Sequence, residues 1–300
     1  MKKRSVVLIF LISILTVQVS YSQQQEVVIE SKSLSDDVYM LTGQGGNIGI
    51  YVGEEYVLMI DDQFDRLNEK IKTAIRELSD KPIRFLFNTH MHGDHTGGNA
   101  AFNSSGTTIV AHDNVRKRVS SNNQEKLQAK EISPDFYKKM LPELTFSDDI
   151  TFHEGDETIM AFHVHNAHTD GDAMVYFTSN NVLHMGDTYF SGRYPYIDLN
   201  SGGSVTGLIE GQKRALMLIN EETVIIPGHG QPSNRAELKA YIQMLETLKA
   251  NVEQAIADGK SLEEVQQDPT IGAAYDSTHG GGFINPERMR TIFYSSLKGQ

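Results

Sequence analysis

Apolar and polar positions change rhythm several times along this chain, and each change marks an element. Residues 27–29, 38–41, 47–52 and 56–60 are short β-rich runs separated by Gly, Asp and Ser, and Gly53-Glu54-Glu55 reads as a hairpin turn. Leu67, Ile71, Ala74, Ile75 and Leu78 then recur at helical spacing with Lys and Glu between them. Pro82 closes that helix, and Phe85-Leu86-Phe87-Asn88 reads as the end of a buried strand. From 110 to 146 the chain is polar and reads as helical, broken by Pro134 and Pro142. Strands return at 157–164, 173–178 and 181–185, followed by a helix at 204–219 with Ser204 as its N-cap. Val224-Ile225-Ile226 is a last buried strand before a long amphipathic helix at 235–258, and Ser261-Leu262-Glu263-Glu264 has the form of a capping box. Strands then helix, twice over, predict two sheets packed face to face with helices outside, as one domain.

The first residues follow a different logic. Met1-Lys2-Lys3-Arg4 is a positive n-region, residues 6–19 are mostly apolar, and Ser20-Tyr21-Ser22 puts small residues where a signal peptidase cuts. The expectation is a signal peptide over 1–22, cleaved after Ser22, a folded domain over 26–300, and a periplasmic or secreted protein with no stable membrane anchor. An exported chain could form disulfides, yet this one has no cysteine, so neither a disulfide nor a thiolate ligand enters the picture. The net charge of −12 becomes −15 once Lys2, Lys3 and Arg4 leave. Such a field repels phosphate backbones, so the expected partner is a small-molecule substrate and not nucleic acid.

Candidate chemistry concentrates in residues 89–98, Thr-His-Met-His-Gly-Asp-His-Thr-Gly-Gly. His90, His92, Asp94 and His95 place four metal-ligand side chains within six residues, directly after a strand end. Three later segments repeat the form, a strand ending in a Gly-containing loop with a ligand residue: His168 in 166–172, Asp187 after Gly186, and His229 between Gly228 and Gly230. Five histidines and two aspartates are enough for two metals sharing one carboxylate.

This set resembles the metallo-β-lactamase superfamily, whose signature is His-x-His-x-Asp-His followed by His, Asp and His on later loops. All seven positions are filled, in order, across the chain after the leader. The resemblance implies an α+β fold, a four-layer αβ/βα sandwich with the site along one edge. It implies His90, His92 and His168 on a first metal, Asp94, His95 and His229 on a second, and Asp187 between them. The expected cofactor is two Zn(2+) per chain, although His/Asp sets also accept iron and manganese. The implied reaction is hydrolysis by a metal-bridging hydroxide, with Asp94 as both ligand and proton handler. The ligand set looks like that of glyoxalase II, lactone hydrolases and tRNA-processing nucleases, and export and charge favour an ester, lactone or related carbonyl substrate. The alternatives are a β-lactamase acting on β-lactam antibiotics and a non-catalytic metal-binding protein, the latter disfavoured by the unbroken ligand set.

Other residues carry weaker signals. Residues 189–204, with Tyr189, Arg193, Tyr194, Tyr196 and Asn200, are the expected substrate wall, an ordinary surface loop being the alternative. His163 and His165 read as structural, His184 as a packed strand residue, and His112, His153 and His279 as surface. Asp170 and Asp172 read as loop polarity or as support for His168. The glycine-rich stretch 43–49 lacks the residues of a phosphate-binding loop and reads as a hairpin tip beside the site.

Overall fold

The computed structural model describes residues 26–298. The expected leader and its cleavage point at Ser22 lie outside the described residues. A first sheet holds seven strands in chain order: β1 (Glu30–Ser33), β2 (Val38–Thr42), β3 (Ile48–Val52), β4 (Val57–Ile60), β5 (Ile83–Asn88), β6 (Thr108–His112) and β7 (Leu144–Phe146). The second comprises β8 (Asp149–Glu154), β9 (Glu157–His163), β10 (Ala173–Phe177), β11 (Val182–Phe190), β12 (Val224–His229) and β13 (Ser233–Asn234), ordered β13-β12-β11-β10-β9-β8.

The helices are α1 (Asn68–Leu78), α2 (Gly93–Thr96), α3 (Asn99–Asn103), α4 (Asp113–Gln128), α5 (Pro134–Lys139), α6 (Val205–Leu218), α7 (Arg235–Ala257), α8 (Leu262–Gln267), α9 (Asp276–His279) and α10 (Pro286–Lys298). Val38, Met40, Leu58 and Phe87 of one sheet meet Ala161, Val175, Phe177 and Ile226 of the other in a buried layer. Each of these side chains other than Ala161 contributes roughly 1.5–3 kcal/mol when fully buried. On the outer faces, Ile71 and Ile75 of α1 cover Ile50, Met59 and Leu86, while α6, α7 and α10 cover Leu183, Met185 and Ile225. The result is the expected four-layer sandwich.

Local differences have local causes. Residues 27–29 do not pair; pairing starts at Glu30, opposite Thr42, and Val27 and Ile29 instead cover the cluster beneath α1. The segment 110–146 is not one broken helix. It supplies β6, α4, α5 and β7, and β7 closes the sheet by parallel pairing with β6. Strand β8, unannounced by its polar sequence, lies at a sheet edge where alternate side chains face solvent.

The ladder directions position the site. Strands β4 to β7 pair in parallel, so β5 and β6 deliver their C-terminal ends to one edge. In the other sheet β9 and β11 are both antiparallel to β10, and β12 is parallel to β11, so β9, β11 and β12 also end together. Ligands in layered α/β proteins commonly bind outside such strand ends.

Candidate metal centre

Two groups of ligand side chains converge at that edge. His90, His92, His168 and Asp187 form one, and Asp94, His95 and His229 the other, with the ligand atoms of each group within 4.8 Å of one another. Asp187 faces both groups with different oxygens. Its Oδ2 lies 3.8 Å from His90 Nε2 and 3.6 Å from His168 Nε2, and its Oδ1 lies 3.1 Å from His95 Nε2 and 3.4 Å from His229 Nε2. All seven residues assigned to metal by resemblance are therefore brought together.

The outward nitrogens explain how the rings are held. His95 Nδ1 is 2.7 Å from Asp61 Oδ2, His168 Nδ1 is 2.8 Å from the Tyr196 carbonyl, and His92 Nε2 is 3.0 Å from Asp198 Oδ2. His90 Nδ1 sits 3.1 Å from Thr89 Oγ1, which donates to Asp61. An acceptor on one nitrogen puts the proton there and leaves the opposite lone pair pointing inward, the usual arrangement behind a metal-bound imidazole. Inward nitrogens then face one another at 2.9 Å (His168–His92), 3.2 Å (His90–His92) and 3.4 Å (His95–His229). Lone pairs set that close repel unless a proton or a cation lies between them, and Asp187 Oδ1 is buried with no hydrogen-bond partner. This donor set fits metal ions.

Electrostatics agree. Burial holds His90 well below its ordinary pKa and His168 down to about 4, keeping both neutral as ligands must be. Burial also opposes charge on His95 and His229, but Asp187 outweighs it, assisted by Asp61 at the first and Asp94 at the second. His95 is raised well above its ordinary value and His229 to about 9. Burial would raise the Asp187 carboxyl, yet His95, His229 and His90 hold it well below the carboxylate range. In the metal-free chain protons serve as counter-charge to this carboxylate, and a dication would displace them.

Glycines leave the room. A Cβ on Gly228 would stand 2.1 Å from Asp187 Oδ1, and one on Gly46 would stand 2.1 Å from the His95 ring. The tip at 43–49 does adjoin the site, tied down by Asn47 Nδ2, which donates to the Pro227 and Gly230 carbonyls at 2.9 Å each.

A cavity of about 480 Å³ opens over the ligands, lined by His92, Asp94, Asp187 and His229 and walled by Phe64, Phe190, Arg193, Tyr194, Tyr196, Phe283 and Ile284. Arg193, Tyr194 and Tyr196 thus stand where the substrate wall was expected. Tyr189 and Asn200 do not. The register shift in β11 between Gly186 and Phe190 rotates the chain, so Phe190 faces the cavity and stacks on His229 at 5.6 Å. Tyr189 turns inward, 2 % exposed, its hydroxyl 2.8 Å from Ser233 Oγ and its ring against Tyr241. Asn200 is exposed in the turn Leu199–Ser201, whose preceding residue, Asp198, reaches His92 instead.

The remaining polar residues resolve individually. Asp172 is buried and accepts from Thr169 N and Oγ1, bracing the loop that carries His168; burial pushes its carboxyl up to about 8. Asp170 instead pairs with Arg118 through both oxygens. His184 is fully buried, as expected, and His153 is exposed. His112 is not a surface residue: it caps α4, bonds to the Ser147 carbonyl and stacks on His163 at 3.8 Å. His163 is buried and bonded to the Asp172 carbonyl, while His165 touches its edge from solvent. His279 is half-buried against Tyr194 and Tyr241. Asp61 and Asp198 were missed by sequence reasoning. Asp61 had a usable signal, since it too follows a strand end directly, whereas nothing local marks Phe283.

The profile of the metallo-beta-lactamase superfamily matches residues 41–229. A hydroxyacylglutathione hydrolase from Pelagibacter ubique is 28% identical over 188 residues, 60% of this chain and 67% of that protein. Among solved structures, a metallo-beta-lactamase from Pontibacter korlensis superposes with a TM-score of 0.62 at 19% identity, covering 73% of this chain and 99% of that one. The DIM-1 metallo-beta-lactamase superposes with a TM-score of 0.61 at 20% identity, covering 74% and 99%. At these identities the solved structures speak to the fold alone.

Proposed function

The chain belongs to the metallo-beta-lactamase superfamily and is a metal-dependent hydrolase, and from that premise we propose an exported dinuclear zinc enzyme acting on an ester, lactone or related carbonyl substrate. One observation carries the reading: the Asp187 carboxylate turns one oxygen to each of two histidine groups. His90, His92 and His168 would hold one ion and Asp94, His95 and His229 the other, with Asp187 shared. Bound zinc supplies activation of water near neutral pH and polarisation of the substrate carbonyl.

The chain's own residues do the rest. Asp94 stands at the cavity floor, its side chain 30% exposed and its Oδ2 3.4 Å from His229 Nε2. Burial pushes its carboxyl up, but His229 and His95 hold it below its ordinary value, so it is an anion able to take a proton from an attacking water. His95 and His168 are fixed by Asp61 and the Tyr196 carbonyl, so the constellation needs no reorganisation when substrate enters. Phe64, Phe190 and Phe283 give the cavity an apolar wall. The relative that hydrolyses hydroxyacylglutathione supports an acyl substrate. Location outside the cytoplasm rests on the basic, apolar and small-residue segments of the first 22 residues. Among the described residues no helix is long and apolar enough to cross a membrane.

The test is zinc-loaded protein assayed on a lactone, a thioester, a β-lactam and a phosphodiester, beside Asp187→Ala. Turnover of a carbonyl substrate, with zinc content lost in the variant, is expected. Turnover of the β-lactam alone would make the protein a β-lactamase. No turnover of any substrate, with zinc binding unchanged in Asp187→Ala, would refute the dinuclear hydrolase.

A further inference from the structure

The wall of the cavity farthest along the chain lies outside the matched superfamily region, which ends at residue 229. The loop between α9 and α10, Gly280-Gly281-Gly282-Phe283-Ile284-Asn285, hangs over the ligands, and Phe283 is 71% exposed there. With Phe64, Phe190 and Ile284 it makes one contiguous apolar wall to the cavity, and an exposed apolar wall beside a site marks a place for an apolar ligand group. One face of Phe283 is taken by the Arg288 guanidinium, 4.4 Å from the ring centroid, and its edge meets Tyr196 at 5.9 Å. Tyr196 in turn lies 5.9 Å from the ring of His92. The Phe283 and Tyr196 rings stand at 87° to each other, so these groups form an apolar corner that runs from the protein surface to the His92 ring.

Charge adds a second, independent observation. Among the described residues most arginine side chains have a polar partner, and Arg84, Arg193 and Arg288 have none. Two of these three flank the cavity. A Cβ on Gly282 would meet the Arg193 stem at 3.3 Å, so the bare backbone there lets Arg193 run along the loop towards the opening. In a chain of net charge −12, unpaired guanidinium groups beside an apolar wall complement an anion.

We propose that the Phe283 loop and Arg193 select the substrate, and that the substrate joins a flat apolar group, seated in the corner between the Phe283 and Tyr196 rings, to one anionic group held by Arg193. The proposal takes its site from the hydrolase reading, but its test needs no turnover. The probes are naphthalene-2-sulfonate, whose sulfonate is a poor metal ligand, and neutral 2-naphthalenemethanol. Their binding to zinc-loaded protein is followed by their own fluorescence. Wild-type protein should bind the anion about tenfold more tightly than the alcohol. Arg193→Ala should abolish that preference, and Phe283→Ala should weaken both probes about tenfold. Phe283 is largely exposed, so its variant should keep the wild-type melting temperature and zinc content. Equal binding of the two probes by wild-type protein, no saturable binding, or variants that bind as wild type does would each overturn the proposal. If the probes behave as expected while 2-naphthyl acetate and the carbonyl panel go unhydrolysed, the hydrolase reading fails and this inference stands. If the carbonyl panel turns over while probe binding is indifferent to both substitutions, the hydrolase reading stands and this inference fails.

Discussion

Asp61→Asn tests how the second ligand group is held, because it changes one atom in a site that tolerates no ambiguity. Asp61 is fully buried, with three donors aimed at it: Thr89 N on Oδ1 at 2.8 Å, and Thr89 Oγ1 at 2.8 Å and His95 Nδ1 at 2.7 Å on Oδ2. Its φ is 60°, a region Asn adopts as readily as Asp, so the backbone should not object. The amide has two orientations. With its oxygen on Thr89 N, its NH2 meets His95 Nδ1. That contact becomes a hydrogen bond only if the imidazole proton moves to Nε2, the nitrogen 3.1 Å from Asp187 Oδ1. The lone pair that would meet a metal is then gone. With the amide reversed, NH2 meets the Thr89 N–H, and a buried donor left unsatisfied costs about 1–3 kcal/mol. Zinc affinity of the Asp94, His95 and His229 group should therefore fall about 10–100-fold, or roughly 1.4–2.7 kcal/mol, and binding by the His90, His92 and His168 group should fall less. Competition with a chromophoric chelator gives both affinities, long-range proton–nitrogen NMR reads the His95 tautomer, and urea unfolding of metal-free protein reads stability. Two zinc affinities within twofold of wild type, with an unchanged urea midpoint, would refute the reasoning.

Gly228→Ala should push the Asp187 carboxylate out of line, since the new Cβ would stand 2.1 Å from Oδ1; metal analysis should show less zinc, and unfolding a loss of about 1–3 kcal/mol. Burial, with the His112 and His165 imidazoles adding to it, holds His163 down to about 4. Its folded pKa lies below its unfolded value, so its contribution is full above pH 6.5 and is lost as pH falls towards 4. Urea midpoints at pH 7 and 4.5 should show a drop that His163→Gln reduces by about 2 kcal/mol. Tyr189→Phe should cost about 1 kcal/mol, because Ser233 keeps its bond to Glu237, and should leave zinc content and turnover unchanged. A fall in kcat/KM for that variant would mean that Tyr189 reaches the substrate after all.

Much of this protein is written in local pattern. Alternation names most strands and helical spacing names α1, α6, α7 and α8, though not α2, α3, α9 or α10. Ligand residues at the expected strand ends name all seven members of the candidate cluster, although β11 runs on past Asp187 to Phe190 and β12 continues through His229. Strand ends are legible because a buried run must stop where polar, turn-forming residues begin, and a parallel arrangement gathers such ends at one edge. The sequence did not reveal what depends on the path between those ends. A bulge at Gly186 decided that Phe190 and not Tyr189 faces the cavity, because a shift in strand register moves side chains to the other face. His112, polar and isolated in sequence, is buried because β6 ends beneath β9, where its ring finds His163 and the Ser147 carbonyl. Asp61, Asp198 and Phe283 stand 34, 106 and 87 residues from the His95, His92 and Tyr196 they serve. The identity of the candidate metal ligands was set by short-range chemistry, which one segment can display. Their orientation and the cavity wall were set by contacts between distant segments, which exist only once the sheets have closed on each other.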